Sequence, residues 1–355
     1  TVCSFVRSTA RHYRTASRLT PHAGTPHNQI AVLCTYRPDD LSGAYRYARA
    51  LACRAPFATA RENMVLLFDK NRPRAGALLA ARRARRGAAA ADRARARLDL
   101  GTLFVRAFAI VVRPSQVRQP ACPRPPRPCR PRRRPRRPTA APAPLRERVL
   151  RPGQEDLAGL KTVEDAALEE LVSWLDGTAD GAARSGDAAR EADAQTLLEL
   201  AVLCVWAAAD AAQRRDAAPG PEGAAGAASA EAALAFALRV LGRLAPAAAE
   251  GRPAALGATA LLCAWLYHAP GLLSGACGPA LCAERRAAVE AVVDCLNLSR
   301  AAPAGAPAEL DAAAWGGAPL PEDVEVCGCS LFSWALPAGR APPSGALTAV
   351  ATLPG

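Results

Sequence analysis

At 355 residues the chain is long enough for two domains, and a hydrophobic share of 50% with only 5% aromatics, much of it alanine, favours a thin helical core over a sheet. The formal charge of +13 is the sum of two opposed halves: Thr1–Arg151 carries 33 Lys plus Arg against 7 Asp plus Glu, and Pro152–Gly355 carries 12 against 25. Such a split implies two domains with different partners, or two halves that attract each other.

Residues 1–19 read as one helix, with Phe5, Tyr13, Ala16 and Leu19 on its buried side and Arg7, Arg11 and Arg14 interrupting any early apolar run. Those arginines leave no secretory signal visible. Pro21 to Gly24 end the helix. The stretch from Gly24 to Arg72 is the least diluted by alanine. Ile30, Val32 and Leu33 start one apolar stripe, and Tyr45, Ala48, Leu51 and Ala52 have the spacing of a second helix face. Pro56-Phe57 breaks that helix; Thr59 with Glu62 three residues on has the form of a capping box. Met64, Leu67 and Phe68 then line a third helix ending at Asp69–Arg72. Helix, turn, helix at this length is the unit of tetratricopeptide-like arrays.

Residues 75–112 read as helical again, basic at Arg82, Arg83, Arg85, Arg86, Arg93, Arg95 and Arg97, then apolar from Leu98 through Phe104 and Phe108 to Val111. From Arg113 to Arg151 there are 13 arginines and one acid, Glu147. Proline there removes backbone donors and arginines repel one another, so residues 114–144 are expected to be a disordered linker. Arg130, Arg132, Arg133, Arg134, Arg136 and Arg137 are candidate nucleic-acid contacts, electrostatic and without sequence preference, because no aromatic is interleaved.

The second half reads as a succession of helices. Leu168, Leu171, Val172 and Leu175 form the apolar side of the first, with Trp174 as a core anchor. A loop over 177–193 precedes a helix over 195–215, and a Gly/Pro/Ala loop over 217–228 precedes one over 231–244. Helices over 256–268 and 284–298 follow, the last with Val289, Val292, Val293 and Leu296 on its core face. Ala254–Ala276 has the length and polarity of a membrane span, yet His268-Ala269-Pro270 lies inside it and a buried core helix is the better reading. The expected core residues are Tyr13, Ile30, Leu33, Tyr45, Leu51, Phe57 and Leu67, then Leu171, Leu200, Leu203, Trp206, Leu262, Trp265, Val293 and Leu296.

No catalytic constellation is present: no phosphate loop, no Gly-x-Ser-x-Gly elbow, and only adjacent acids such as Glu169-Glu170 and Glu322-Asp323, which do not face each other on a helix. The 12 cysteines include no Cys-x-x-Cys, and His12, His22, His27 and His268 are scattered. The thiols therefore read as buried and free in a reducing compartment, with no metal site and no cofactor expected.

The words PHNQIAVL, DDLSGAYRYARALACRAPF and TARENMVLLFDKNR between Pro26 and Arg72 resemble the Smg five, six and seven proteins of nonsense-mediated mRNA decay and the related telomerase-associated ever-shorter-telomeres protein. Asn28-Gln29, Pro56-Phe57 and Glu62-Asn63 carry the likeness in order; His27 stands where the family has an aromatic and Ala50 where it has serine. Asp294-Cys295-Leu296-Asn297 and Leu320-Pro321-Glu322-Asp323 extend it into the second half. The resemblance implies an all-α fold: the C-terminal part of a 14-3-3-like, tetratricopeptide-like domain over 1–113, the linker over 114–144, a helical hairpin domain of the DNA/RNA-binding type over 145–340 and a flexible tail over 341–355. By register the family's phosphoserine-binding basic residues fall at or before Thr1, leaving Arg7, Arg11, Arg14 and Asn28 as a candidate phosphate-binding rim.

For function the resemblance implies a non-enzymatic adaptor that docks a phosphorylated surveillance helicase and recruits decay enzymes, in the cytoplasm with nuclear shuttling. A related family member as heterodimer partner is also implied, and no membrane. The alternative it leaves open is a telomerase-associated binder of telomerase RNA or telomeric DNA.

Overall fold

The last ten residues of one helix are the axis of this protein. That helix is α5 (Arg93–Val112), and from Leu103 to Val112 every residue is buried, including Arg106. It follows α1 (Val2–Leu19), α2 (Gly24–Cys34), α3 (Asp40–Ala52) and α4 (Ala60–Ala84). After it come α6 (Leu157–Gly181), α7 (Asp187–Ala217), α8 (Pro221–Ala249), α9 (Pro253–His268), the short α10 (Gly271–Ser274), α11 (Pro279–Arg300) and a 3-10 turn at Ser330–Phe332. The computed structural model describes residues 2–37, 39–84, 93–112, 157–181, 187–217, 221–274, 279–300 and 330–332. Over these residues the fold is all-α; a parallel bridge pairs Ala23 with Ala55.

α5 packs on α3 and α4 on one side and on α6, α7 and α8 on the other. A helix apolar all round must be enclosed, and here both halves of the chain enclose it. Phe104 and Phe108 meet Phe236 of α8 with ring centroids 5.3 and 5.8 Å apart. The hydrophobic core therefore runs without a break from Ala31 to Ala288. Ion pairs join the halves at its edge: Arg61 with the buried Asp210, and Arg82 with Glu169 and Glu170. The opposed charges of the sequence thus meet within one molecule. Residues 114–144 lie outside the described residues.

Several local expectations are corrected. Phe5 and Leu19 are 69% and 77% exposed, while Val6 is buried and Tyr13 half-buried. α1 has α2 as its main neighbour, so only one narrow face finds a partner. The helix over 60–84 does not stop before Pro73. The missing Pro73 N–H would have bonded the Asp69 carbonyl one turn back. Both residues are on the exposed face, where water takes that carbonyl.

Residues 177–181 and 187–193 are helical and so shorten the expected loop, and α8 starts at Pro221, ten residues before the predicted start. Proline at a first turn and an alanine-rich sequence both favour that start. Gly226 lets α8 approach α7 there, since a Cβ on it would lie 2.9 Å from Arg215 Cα. On α11 the core face is Leu281, Ala288, Ala291, Val292 and Cys295; Val289 and Val293 are 46% and 47% exposed. Leu296 falls outside the described side chains. The other core expectations hold, with Leu33, Leu51 and Phe57 half-buried and the rest buried.

Two helices, Arg190–Ala217 and Gly226–Ala249, are long and apolar enough by length and composition to cross a membrane, and both are mostly buried inside the protein. The segment singled out from the sequence, 254–276, is divided between the 16-residue α9, with Leu261, Leu262, Trp265 and Leu266 in the core, and the short α10, and its last two residues lie outside the described residues.

Candidate functional site

The words that carry the family likeness fold into a polar lattice beneath α2, α3 and α4. Asn63 of α4 donates from Nδ2 to Oδ1 of Asn28 on α2, at 3.1 Å. Asn71, fully buried, donates to Asp40 of α3 at 3.0 Å and to the Thr102 carbonyl of α5 at 3.3 Å. Arg74 closes on the same Asp40 carboxylate. Asp39 caps α3 by accepting from the Ser42 N–H at 3.1 Å. These buried donors and carboxylates tie α2, α3, α4 and α5 to one another, with Asn71 Oδ1 left without a hydrogen-bond partner.

His27, next to Asn28 on α2, is 3% exposed. Burial holds its pKa down at about 2, and the nearby Arg49 and Arg46 push in the same direction. It is therefore neutral at physiological pH. Arg46 NH1 lies 3.4 Å from its Nδ1, a contact that needs a lone pair there and places the ring proton on Nε2. Arg46 and Arg49 are themselves buried, at 8% and 2% exposure. Sequence reasoning passed over these three; the signal was His27 in an aromatic's place.

The turn into α2 depends on Gly24. Its N–H bonds to the Ala55 carbonyl at 2.9 Å, and Phe57 N–H bonds to the Ala50 carbonyl at 3.1 Å just beside it. A Cβ on Gly24 would lie 2.4 Å from Ala50 O and 2.7 Å from Phe57 N, both backbone atoms that cannot rotate away. Gly24→Ala should therefore destabilise the protein by about 1–3 kcal/mol, the usual cost of overpacking. A denaturant titration reads this directly, and a midpoint equal to the parent's would contradict the close approach.

A second polar contact joins the halves. Ser42 Oγ of α3 donates to Glu199 Oε2 of α7 at 2.8 Å, and Gln195 Nε2 donates to Oε1 at 3.2 Å. Burial raises the Glu199 pKa to about 7, with the Asp39 charge adding to it; Arg46 and the hydrogen bonds from Ser42 and Gln195 act the other way.

The candidate rim is divided by the structure. Arg7, Arg11 and Arg14 are exposed on α1, whereas Asn28 is 3% exposed and bonded to Asn63. The six linker arginines, Arg130, Arg132, Arg133, Arg134, Arg136 and Arg137, lie outside the described residues. So do Leu320–Gly328, although Ser330, two residues further, donates to the Ala52 carbonyl at the end of α3 at 2.7 Å.

Burial pushes the thiols of Cys34 and Cys263 up to about 12 and 11 and raises Cys204 as well, so all three are protonated. Cys282 departs from the free-thiol reading, being disulfide-bonded. Among the described residues no group of three His, Cys, Asp or Glu is placed to hold a metal ion. An open groove beside α6 is lined by Asp165, Glu169, Asp176 and Arg243. Its three carboxylates are engaged by Arg239, Arg82 and Arg252.

Fold and site thus define an all-helical array whose distinctive residues organise its own packing. Residues 9–127 match the sequence profile of the Est1 DNA/RNA binding domain. That match lies on the first half, where the sequence reading attached the label to 145–340. Over 65 residues the chain is 45% identical to nonsense-mediated mRNA decay factor SMG7 of Arabidopsis thaliana, covering 18% of this chain and 6% of the relative. It is 48% identical over 63 residues to the SMG7-like factor of the same plant, 18% and 7% of the two chains. Telomerase-binding protein EST1A of Danio rerio is 36% identical over 63 residues, 18% and 4%. These matches support the likeness to the Smg five, six and seven and Est1 family read from the sequence, over the part of the chain they cover.

Proposed function

We propose that the protein is a non-catalytic adaptor of nonsense-mediated mRNA decay that docks phosphorylated surveillance factors and recruits decay enzymes. The observation that carries this is the 45% identity with SMG7 over 65 residues. Its supporting geometry is the lattice of Asn28, Asn63, Asp40 and Asn71, in which the words behind the family likeness act on the scaffold. Activity on messenger RNA then belongs to recruited enzymes, and the working place of the protein is the cytoplasm, with passage through the nucleus.

The second reading is a telomerase-associated nucleic-acid binder; the Est1 DNA/RNA binding profile over 9–127 and the likeness to EST1A favour it. Purification of the tagged full chain from cells, with its proteins and RNAs identified, separates the two. Surveillance helicase and deadenylase subunits are expected. Enrichment of telomerase RNA without those proteins would replace the first reading by the second.

A further inference from the structure

Half-buried arginines elsewhere in the bundle reach carboxylates: Arg61 pairs with Asp210, Arg74 with Asp40, Arg82 with Glu170 and Arg239 with Glu164. α1 is built differently. It contains no acid, and Arg7, Arg11, Arg14 and Arg18 recur at steps of four, three and four, which is one face of a helix. All four side chains are exposed, and among the described residues none of them forms an ion pair. At about 1.5 Å per residue the ladder is about 16 Å long.

The exposed apolar side chains of α1 are not on this stripe. At about 100° per residue Phe5 and Leu19 lie about 150° and 110° from its centre, and the buried Val6 faces the bundle. A protein partner takes its affinity from apolar anchors ringed by polar groups, and the ladder offers none. A phosphate chain needs only repeated guanidinium donors, which bind it as forked, charge-assisted pairs.

We propose that the Arg7–Arg11–Arg14–Arg18 face of α1 docks the phosphate backbone of a single-stranded nucleic acid, without reading its sequence. The docking goes beyond the adaptor reading and deepens the nucleic-acid-binding one by giving it a surface on α1; capture of decay proteins or of telomerase RNA from cells and binding of a bare oligonucleotide are separate measurements. Each neutralised phosphate on a single strand steepens the salt dependence of affinity by about 0.7 in the log–log slope.

The test uses the full chain and a labelled single-stranded oligonucleotide of mixed sequence, with anisotropy followed over a salt titration. Arg7→Gln, Arg11→Gln, Arg14→Gln and Arg18→Gln combined should flatten the slope by about 3, four phosphates' worth, with circular dichroism unchanged, since glutamine keeps helix propensity. The same four positions changed to lysine should retain the parent slope within about one phosphate's worth. An unchanged slope in the glutamine variant would place all binding on other arginines and overturn the proposal. So would an equal loss in the lysine variant, which marks a structural effect.

Discussion

Phe236→Ala should lower the unfolding free energy by about 3–5 kcal/mol, the range for removing a buried aromatic ring, and should do so for the whole chain at once. Phe236 is 1% exposed and belongs to α8, while the rings it meets, Phe104 and Phe108, belong to α5, across the proline-arginine run in sequence. If both halves own this cluster, Trp fluorescence from Trp174, Trp206 and Trp265 and the far-ultraviolet signal of all the helices should fall along one denaturant curve. Combining Phe236→Ala with Phe104→Ala should show a coupling of about 0.5–1.5 kcal/mol. Two resolved transitions, with the variant shifting only the later half, would mean that the core is not shared.

Glu199→Gln should change the pH dependence of stability, with a definite sign. The folded pKa of Glu199 is raised, to about 7 from an ordinary 4.5. A raised pKa means that the folded state binds the proton more tightly. The contribution of this group is therefore complete below about 4.5, and it declines as pH rises through 7. The variant lacks that decline, so its advantage over the parent should grow from pH 4.5 to 7 at about 1.4 kcal/mol per unit, to about 3 kcal/mol. The new amide oxygen accepts from Ser42, and Gln195 turns its own amide to present oxygen to the new NH2. His27 works in the opposite direction, since its pKa is held down at about 2: acidification from 6.5 costs stability until that value is reached. In the parent the two slopes oppose each other between 4.5 and 6.5. In the variant only the histidine slope remains there, and stability should fall steadily with acid. Parallel curves for the two proteins would show that Glu199 titrates normally.

Helix content was legible because alanine, leucine and arginine leave few alternatives, and the stripes at Tyr45, Leu171 and Leu203 point inward as their spacing requires. Boundaries were less legible. Pro73 reads as a stop, yet its place on an exposed face lets the helix continue, and exposure is a tertiary fact. Val289 and Val293 fit a core stripe as well as their neighbours do; only the position of α8 decides which side of α11 is covered. The same reason hid the enclosure of α5, whose second set of neighbours comes from far along the chain. Asn28 was visible as distinctive but not as buried, because its partner Asn63 lies on another helix. The unpaired state of the α1 arginines was invisible in sequence, since it depends on which carboxylates the fold brings near.

Because the ring cluster of α5 and α8 ties the two halves together, the covalent stretch between Val112 and Leu157 has little left to do for stability. The entropy of closing a connection rises only with the logarithm of its length, about 0.6 kcal/mol for each doubling. Doubling the length of that connection should thus change stability by only about 0.6 kcal/mol. The contact between α5 and α8 therefore does not depend on a short connection, and a long proline-arginine tract can join the two halves without pulling them apart.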